Sequence, residues 1–313
     1  MVLAAGVAQA DVTFSGAAGV ALIDDNGASV YNAGTAGAAA TSTSSAVDYV
    51  APVARSTRDG MFFESYYDFN IAASAESDNG ISVSVGFDMG AGNKIDYNDD
   101  DKLEAQGNDV GDADVTVGYA GWTLAVDQGG IDNLFDDGDG AQDVSLSGTV
   151  SGVSVAVTTD LEGSTNSYKV AGTVAGVSLT ATGTDAASVG GSASKIAASY
   201  AMDNGLTLSA SVQDEDGTAE DDNTLGLSYA MGDITVGYTT IRPGSAGSFG
   251  DEWDFSVAYA AGAVGASFAT DETDATTFIF DYALGGGASA FAAMHDKAGT
   301  NDDLTAIGLN FAF

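Results

Sequence analysis

Carboxylates carry most of the chemistry this chain has to offer. Asp and Glu number 45 against 8 Lys and Arg, a formal net charge of -37. They gather in runs, "NDDD" (98–101) and above all "DQGGIDNLFDDGDGAQD" (127–143), which holds Asp132, Asp136, Asp137 and Asp139. Such a loop can hold a hard cation such as Ca2+, which takes carboxylate and carbonyl oxygens, with Asp136, Asp137 and Asp139 as ligands. It can also act through its field alone, drawing cations to a cleft lined with one sign of charge. Neither run has the full EF-hand spacing, so the simpler reading of each is a solvated acidic loop.

Other chemistries find little support. His295 is the only histidine, between Met294 and Asp296, and no nucleophile-elbow motif accompanies it. There is no cysteine, hence no disulfide and no thiolate metal site. No phosphate-binding glycine loop precedes a helix, so the 42 glycines read as turn and strand residues. Nucleic acid is excluded as a partner, because phosphate contacts need clustered Lys and Arg. The acidity also suits a salt-adapted source, a background that competes with no fold.

The elements that must position these carboxylates follow period two. "DVTFSGAAGVAL" (11–22) sets Val12, Phe14, Gly16, Ala18, Val20 and Leu22 on one face. "FFESYYDFNIAAS" (62–74) sets Phe63, Tyr67, Phe69 and Ile71 against Glu64, Tyr66, Asp68 and Asn70. "LGLSYAMGDITVGY" (225–238) is a complete hairpin with one apolar and one small, polar face. The rhythm recurs through 81–90, 113–127, 143–159, 167–184, 194–213, 223–241, 252–269, 276–295 and 303–313, and predicts about 18 half-buried strands and no helix of three turns.

Two classes of connection alternate along the chain. Eight are tight and carry the Gly or Asn that positive φ demands, at 77–80, 120–122, 151–153, 175–177, 203–205, 231–233, 261–263 and 285–287. The others are longer and polar. One end of the structure should therefore carry tight turns and the other long loops, as in transmembrane barrels. Tyr119, Tyr200, Tyr229, Tyr259 and Tyr282 each precede a tight turn on the apolar face and are each followed by Ala. Five tyrosines at one level predict an interfacial girdle, with ring on lipid and hydroxyl in water.

Closing the sheet removes its edges and pairs every backbone group, which hydrocarbon requires. The fold expected is all-β, a transmembrane antiparallel up-and-down barrel of 16–18 strands, with the apolar face toward lipid. No segment approaches the roughly 20 apolar residues of a membrane helix. "MVLAAGVAQA" ends in an A-x-A cleavage form before Asp11 but lacks a basic start. Residues 1–10 are read as the remnant of a signal peptide and 11–313 as the barrel.

The order of several features resembles a family, the general diffusion porins of the alphaproteobacterial, Rhodobacter-like type. The residues are "ADVTFSGAAGVAL" at the mature start, "SDNGISVSVGFDMG", "DVTVGYAGWTLAVDQGGIDNLF" before the third long loop, and "LGGGASA" with "AIGLNFAF" at the end. Phe313 on an alternating strand is similar to that family's assembly signal. The resemblance implies a homotrimer in the Gram-negative outer membrane, in contact with lipid and lipopolysaccharide, passing small hydrophilic solutes and ions by diffusion. It also implies 16 strands, a third loop folded into the pore, calcium near that loop, and a basic cluster on the wall across from it.

On this reading Asp132, Asp136, Asp137 and Asp139 line the constriction, while Ile131, Leu134 and Phe135 pin the loop to the wall. Glu64, Asp68, Asp88, Asp127, Asp254 and Asp281 have lumen parity, as do Lys169 and Lys195. Arg55 and Arg58 stand at the start of the second strand, where the family's wall arginines begin, and Arg242 at a strand's loop end. Acids outnumber bases, so cation selectivity is expected. Small residues on the first strand, Gly16 and Ala18, suggest close packing there. Two alternatives remain. A secreted acidic calcium-binding surface-layer β-protein would need a recurring G-G-x-G-x-D repeat, hinted at only in 129–140. A sugar-specific channel would need more lumen aromatics than Phe62 and Tyr66.

Overall fold

The computed structural model describes residues 10–24, 61–96, 102–106, 114–136, 141–163, 165–187, 191–215, 221–243, 252–296 and 303–313. Its strands are β1 (Ala10–Asp24), β2 (Phe62–Glu76), β3 (Ser82–Asp96), β4 (Lys102–Ala105), β5 (Asp114–Tyr119) and β6 (Trp122–Ile131). Then come β7 (Gln142–Val150), β8 (Val153–Thr159), β9 (Asn166–Val174), β10 (Val177–Ala187), β11 (Gly191–Ala201), β12 (Leu206–Glu215) and β13 (Asp222–Met231). The last six are β14 (Ile234–Arg242), β15 (Glu252–Ala261), β16 (Val264–Asp271), β17 (Thr276–Gly285), β18 (Ala288–Asp296) and β19 (Leu304–Ala312).

Every pairing is antiparallel, and β1 pairs with both β2 and β19, so the sheet closes on itself. β3 pairs with β5 over Ser82–Gly86 and with the short β4 over Asn93–Asp96. The wall is therefore an 18-strand barrel, with β4 an extension at the far end of β3. Eighteen, rather than the 16 of the resemblance, is the observed number.

The tight turns behave as their residues dictate. Ala120, Ser151 and Ala175 have φ near +50° and are followed by Gly121, Gly152 and Gly176 at φ +83°. That is the type I′ geometry whose twist matches two antiparallel strands. All the short turns fall at one rim of the barrel. The opposite rim carries the longer connections, among them the described 272–275.

Parity sorts the faces. Val12, Phe14, Val20, Phe63, Tyr67, Leu124, Leu146, Val157, Leu208, Leu225, Phe278 and Ile307 are exposed on the outside. The inner face is not uniformly polar. Ile279, Ala293, Ala306, Ile23 and Phe62 stand in register across β17, β18, β19, β1 and β2 and are all buried. One step nearer the turns, the Phe291 ring lies over Gly308. This inward apolar cluster corrects the expectation that bulky residues lie on one face only. It lies near the ends of the strands, where period two alone does not say what covers a side chain.

Gly92 adds a local reversal. Its φ is +87°, and a Cβ there would stand 2.0 Å from the Ser65 carbonyl oxygen. The β2–β3 pairing ends at this residue, and beyond it Asn93 and Ile95 are buried inside rather than continuing the outward series Val83, Val85, Phe87.

Candidate pore lining and constriction loop

The segment after β6 turns into the barrel. The β6–β7 ladder is regular up to Val126↔Val144 and resumes only at Ile131↔Gln142. Beyond it, Asn133 is 4% exposed and its Nδ2 donates to Thr184 Oγ1 at 2.9 Å. The Leu134 N–H donates to Ser167 Oγ at 2.8 Å, and Ser167 in turn is hydrogen bonded to Thr158 Oγ1. Thr158, Ser167 and Thr184 are buried inward residues of β8, β9 and β10. The Phe135 N–H donates to Asn133 Oδ1 at 3.0 Å, which closes the turn on itself.

The third loop is thus held on the inner wall by polar groups. Burial of hydroxyls and an amide is favourable only when they are paired, and each pair contributes about 1 kcal/mol net. Ile131, Leu134 and Phe135, expected to pin the loop through their side chains, are half-buried; the hydrogen bonds run through Asn133 and the Leu134 backbone. Period-two reading cannot find Asn133, Thr158, Ser167 or Thr184, since small polar residues fill every lumen face. Asp132 and Asp136 are exposed on the loop. Asp137 and Asp139 lie outside the described residues, and with them two of the three calcium ligands suggested by the sequence. Among the described residues no cluster of three or more His, Cys, Asp or Glu has the arrangement to hold a metal ion.

Carboxylates line the adjoining wall. Asp88, Asp114 and Asp127, from β3, β5 and β6, border an open recess of about 600 Å³ with Asn70 and Gln128. Asp114 opens β5 within the alternating segment 113–127, but the sequence reading did not single it out as a lumen carboxylate. Asp68 faces inward beside it and accepts from Asn70 Nδ2 at 3.2 Å on both oxygens. Across the barrel, Asp254 stands directly opposite Asp271 in the β15–β16 ladder. Asp271 Oδ1 accepts from the Thr273 and Ala275 N–H groups and fixes the turn beyond it. Asp281 is inward and half-buried. Glu64 is inward but 6% exposed, and accepts from Asn93 Nδ2 at 3.1 Å. It belongs to the buried wall rather than to the wet surface.

The inward lysines sit on the loop's own wall. Lys169 and Lys195 flank Thr182 in one row across β9, β10 and β11. Ser167 and Thr184, which hold the loop, are two residues further along the same strands. Both lysines therefore lie beneath the third loop, not across from it as the resemblance implied. Arg55 and Arg58 lie outside the described residues. Arg242 ends β14 opposite Asn223 and is half-buried. His295 is inward on β18, with Nδ1 2.8 Å from Thr277 Oγ1.

On the outside, Tyr119, Tyr200, Tyr229, Tyr259 and Tyr282 are exposed near the turn rim, with Trp122 paired to Tyr119. A second aromatic level nearer the loop rim includes Tyr168, Tyr238 and Trp253; the last two stack at 6.5 Å. Phe313 closes the cylinder. Its N–H and C=O exchange hydrogen bonds with Gly16 at 3.0 and 2.9 Å, and its ring packs toward Phe69, which stacks on Phe14. A Cβ on Gly16 would meet the Asp68 carbonyl oxygen at 2.3 Å and the Phe313 ring at 3.0 Å. At Gly16 this is packing within one chain.

A closed 18-strand wall, aromatic levels outside and an inward acidic loop leave a channel as the natural use of the fold. The sequence profile of the Gram-negative porins matches residues 1–311. The chain belongs to the Gram-negative porin family. This porin is accordingly an outer-membrane channel and not an enzyme. Its fold is similar to that of two engineered variants of Rh. blastica porin. They are 16% identical, with 97% of this chain and 100% of each variant aligned and TM-scores of 0.51 and 0.52. It is also similar to Pseudomonas aeruginosa OccK11 (OpdR), at 10% identity, 97% and 96% coverage and a TM-score of 0.56. At these identities the likeness concerns the fold alone. Among curated proteins, no sequence match was found.

Proposed function

We propose that this porin is a trimeric, cation-selective channel for passive diffusion of ions and small hydrophilic solutes, with the third loop as its constriction. The observation that carries the reading is the imbalance of inward charge. Asp68, Asp88, Asp114, Asp127, Asp254, Asp271 and Asp281 face inward on the wall and Asp132 and Asp136 are exposed on the loop, against Lys169 and Lys195 beneath it. In a water-filled bore narrower than about two Debye lengths, roughly 16–20 Å, such charges overlap and fill the channel with counter-ions. Residues 1–10 fit an export leader, and the loop acids would give any calcium its oxygen ligands. The secreted solenoid alternative loses its basis, because the strands form a closed antiparallel barrel.

The test is a planar-bilayer recording of the detergent-extracted protein under a KCl gradient. Current steps in threes, with a reversal potential on the cation side, are expected. Reversal on the anion side would overturn the selectivity, and independent single steps would overturn the trimer.

A further inference from the structure

Asp143 is a buried carboxylate that the lining does not use. It begins the inward series of β7 and is 9% exposed. It stands where β6 and β7 lose their register, between Val126↔Val144 and Ile131↔Gln142. A break of this kind leaves backbone N–H groups without a ladder partner, and buried donors need one. Asp143 supplies it. Its Oδ1 accepts from the Gly129 N–H at 2.9 Å, at the foot of the third loop. Its Oδ2 accepts from the Leu161 N–H at 2.7 Å, in the turn after β8. The preceding residue, Gln142, is fully buried and its Nε2 donates to Thr165 Oγ1 at 3.1 Å, at the other end of that turn. Within the turn, Asp160 Oδ1 accepts from the Glu162 and Gly163 N–H groups, both at 2.8 Å.

From this geometry we infer that Asp143 is the positioning residue of the constriction, a latch that ties the foot of the third loop to the 160–165 turn and so sets the aperture. The inference rests on the third loop being the constriction. Only a carboxylate serves here, because each oxygen takes one backbone donor. Asn offers a single acceptor and would set its NH2 against the second N–H. Asn133 and Leu134 hold the segment just beyond β6 on β10 and β9. Asp143 holds the loop's base, and both are needed to fix the segment between them.

The absence of native cysteine makes a clean test possible. Asp143→Ala and Asp143→Asn are recorded as single channels, alone and with Asn133→Cys and Thr184→Cys added, whose side chains touch in the native loop. Folding is checked by the heat-modifiable gel mobility of the barrel. Losing charge-assisted bonds raises the population of displaced loop states on the order of tenfold. We expect Asp143→Ala to show a changed conductance and markedly larger open-channel noise. Oxidising the 133–184 pair in that background should reverse both, and reduction should bring them back. Wild-type conductance and noise in folded Asp143→Ala would overturn the latch, as would a defect indifferent to oxidation. Asp132→Asn and Asp136→Asn, recorded alongside, separate the two readings. If they shift the reversal potential while Asp143→Ala is silent, the latch fails and the constriction stands. If they change neither the conductance nor the reversal potential, the constriction itself is overturned.

Discussion

Gly92 decides which side chains the outer half of β3 shows to the lumen, and replacing it with Ala tests that directly. Two penalties arise from one methyl group. An L-residue at φ +87° is strained by roughly 1–2 kcal/mol. The new Cβ also stands 2.0 Å from the Ser65 carbonyl oxygen and 2.9 Å from both the Ser65 carbonyl carbon and Tyr66 Cα. These are backbone atoms held in the β2 ladder, so relief requires the strands to move, at a further cost of about 1–3 kcal/mol. Gly80 is the internal control. Its φ is +78°, and nothing lies within 4 Å of its would-be Cβ. Gly80→Ala should show the conformational strain alone, and Gly92→Ala should exceed it by about 1–3 kcal/mol. Reversible urea unfolding in lipid vesicles, followed by the fluorescence of Trp122 and Trp253, measures both. Equal losses would refute the steric reasoning, and with it the claim that the left-handed conformation of Gly92 is what turns Asn93 toward Glu64.

Two further outcomes follow from the rims. Ala120, Ser151 and Ala175 occupy a left-handed position that Asn tolerates better; Asn at each should raise stability by about 0.5–1 kcal/mol in the same unfolding assay, and additively. In the turn after β8, the backbone N–H groups of Gly163 and Glu162 hold the Asp160 carboxyl below its ordinary value of 3.8. A lowered folded-state value means that the turn's stabilisation is present above that ordinary value and lost as pH falls through the lowered one. Amide exchange at Gly163 should therefore accelerate relative to its neighbours below about pH 4, and Asp160→Asn should abolish that pH dependence.

Most of the architecture was legible because a barrel wall repeats one rule. Period two told the faces apart, the positive-φ residues marked every tight turn, and the tyrosines before those turns are exposed on the outside. The count of 18 came from the residues, against the 16 that the resemblance implied. What stayed hidden depended on one backbone position or on contacts far apart in sequence. No pattern around "GAGNKID" (90–96) announces that Gly92 takes a left-handed conformation and that Ile95 is buried. The row Ile279, Ala293, Ala306, Ile23 and Phe62 joins strands from both ends of the chain, and exists only once β1 pairs with β19.

The third loop shows why site residues are harder to read than walls. Its sequence offers apolar anchors, but the barrel interior is polar, and the inner faces of β8–β10 present Thr158, Ser167 and Thr184 to whatever packs on them. A loop that must stay wet on its outer side and immobile on its inner one is better fixed by directed hydrogen bonds than by apolar burial, because directed bonds set orientation as well as depth. The same packing places Lys169 and Lys195 beneath the acidic loop. There they offset part of its charge locally instead of opposing it across the bore. The inward carboxylates of β2, β3, β5, β6, β15, β16 and β17 add a field of their own, so the proposed selectivity should depend on the wall as well as on the loop.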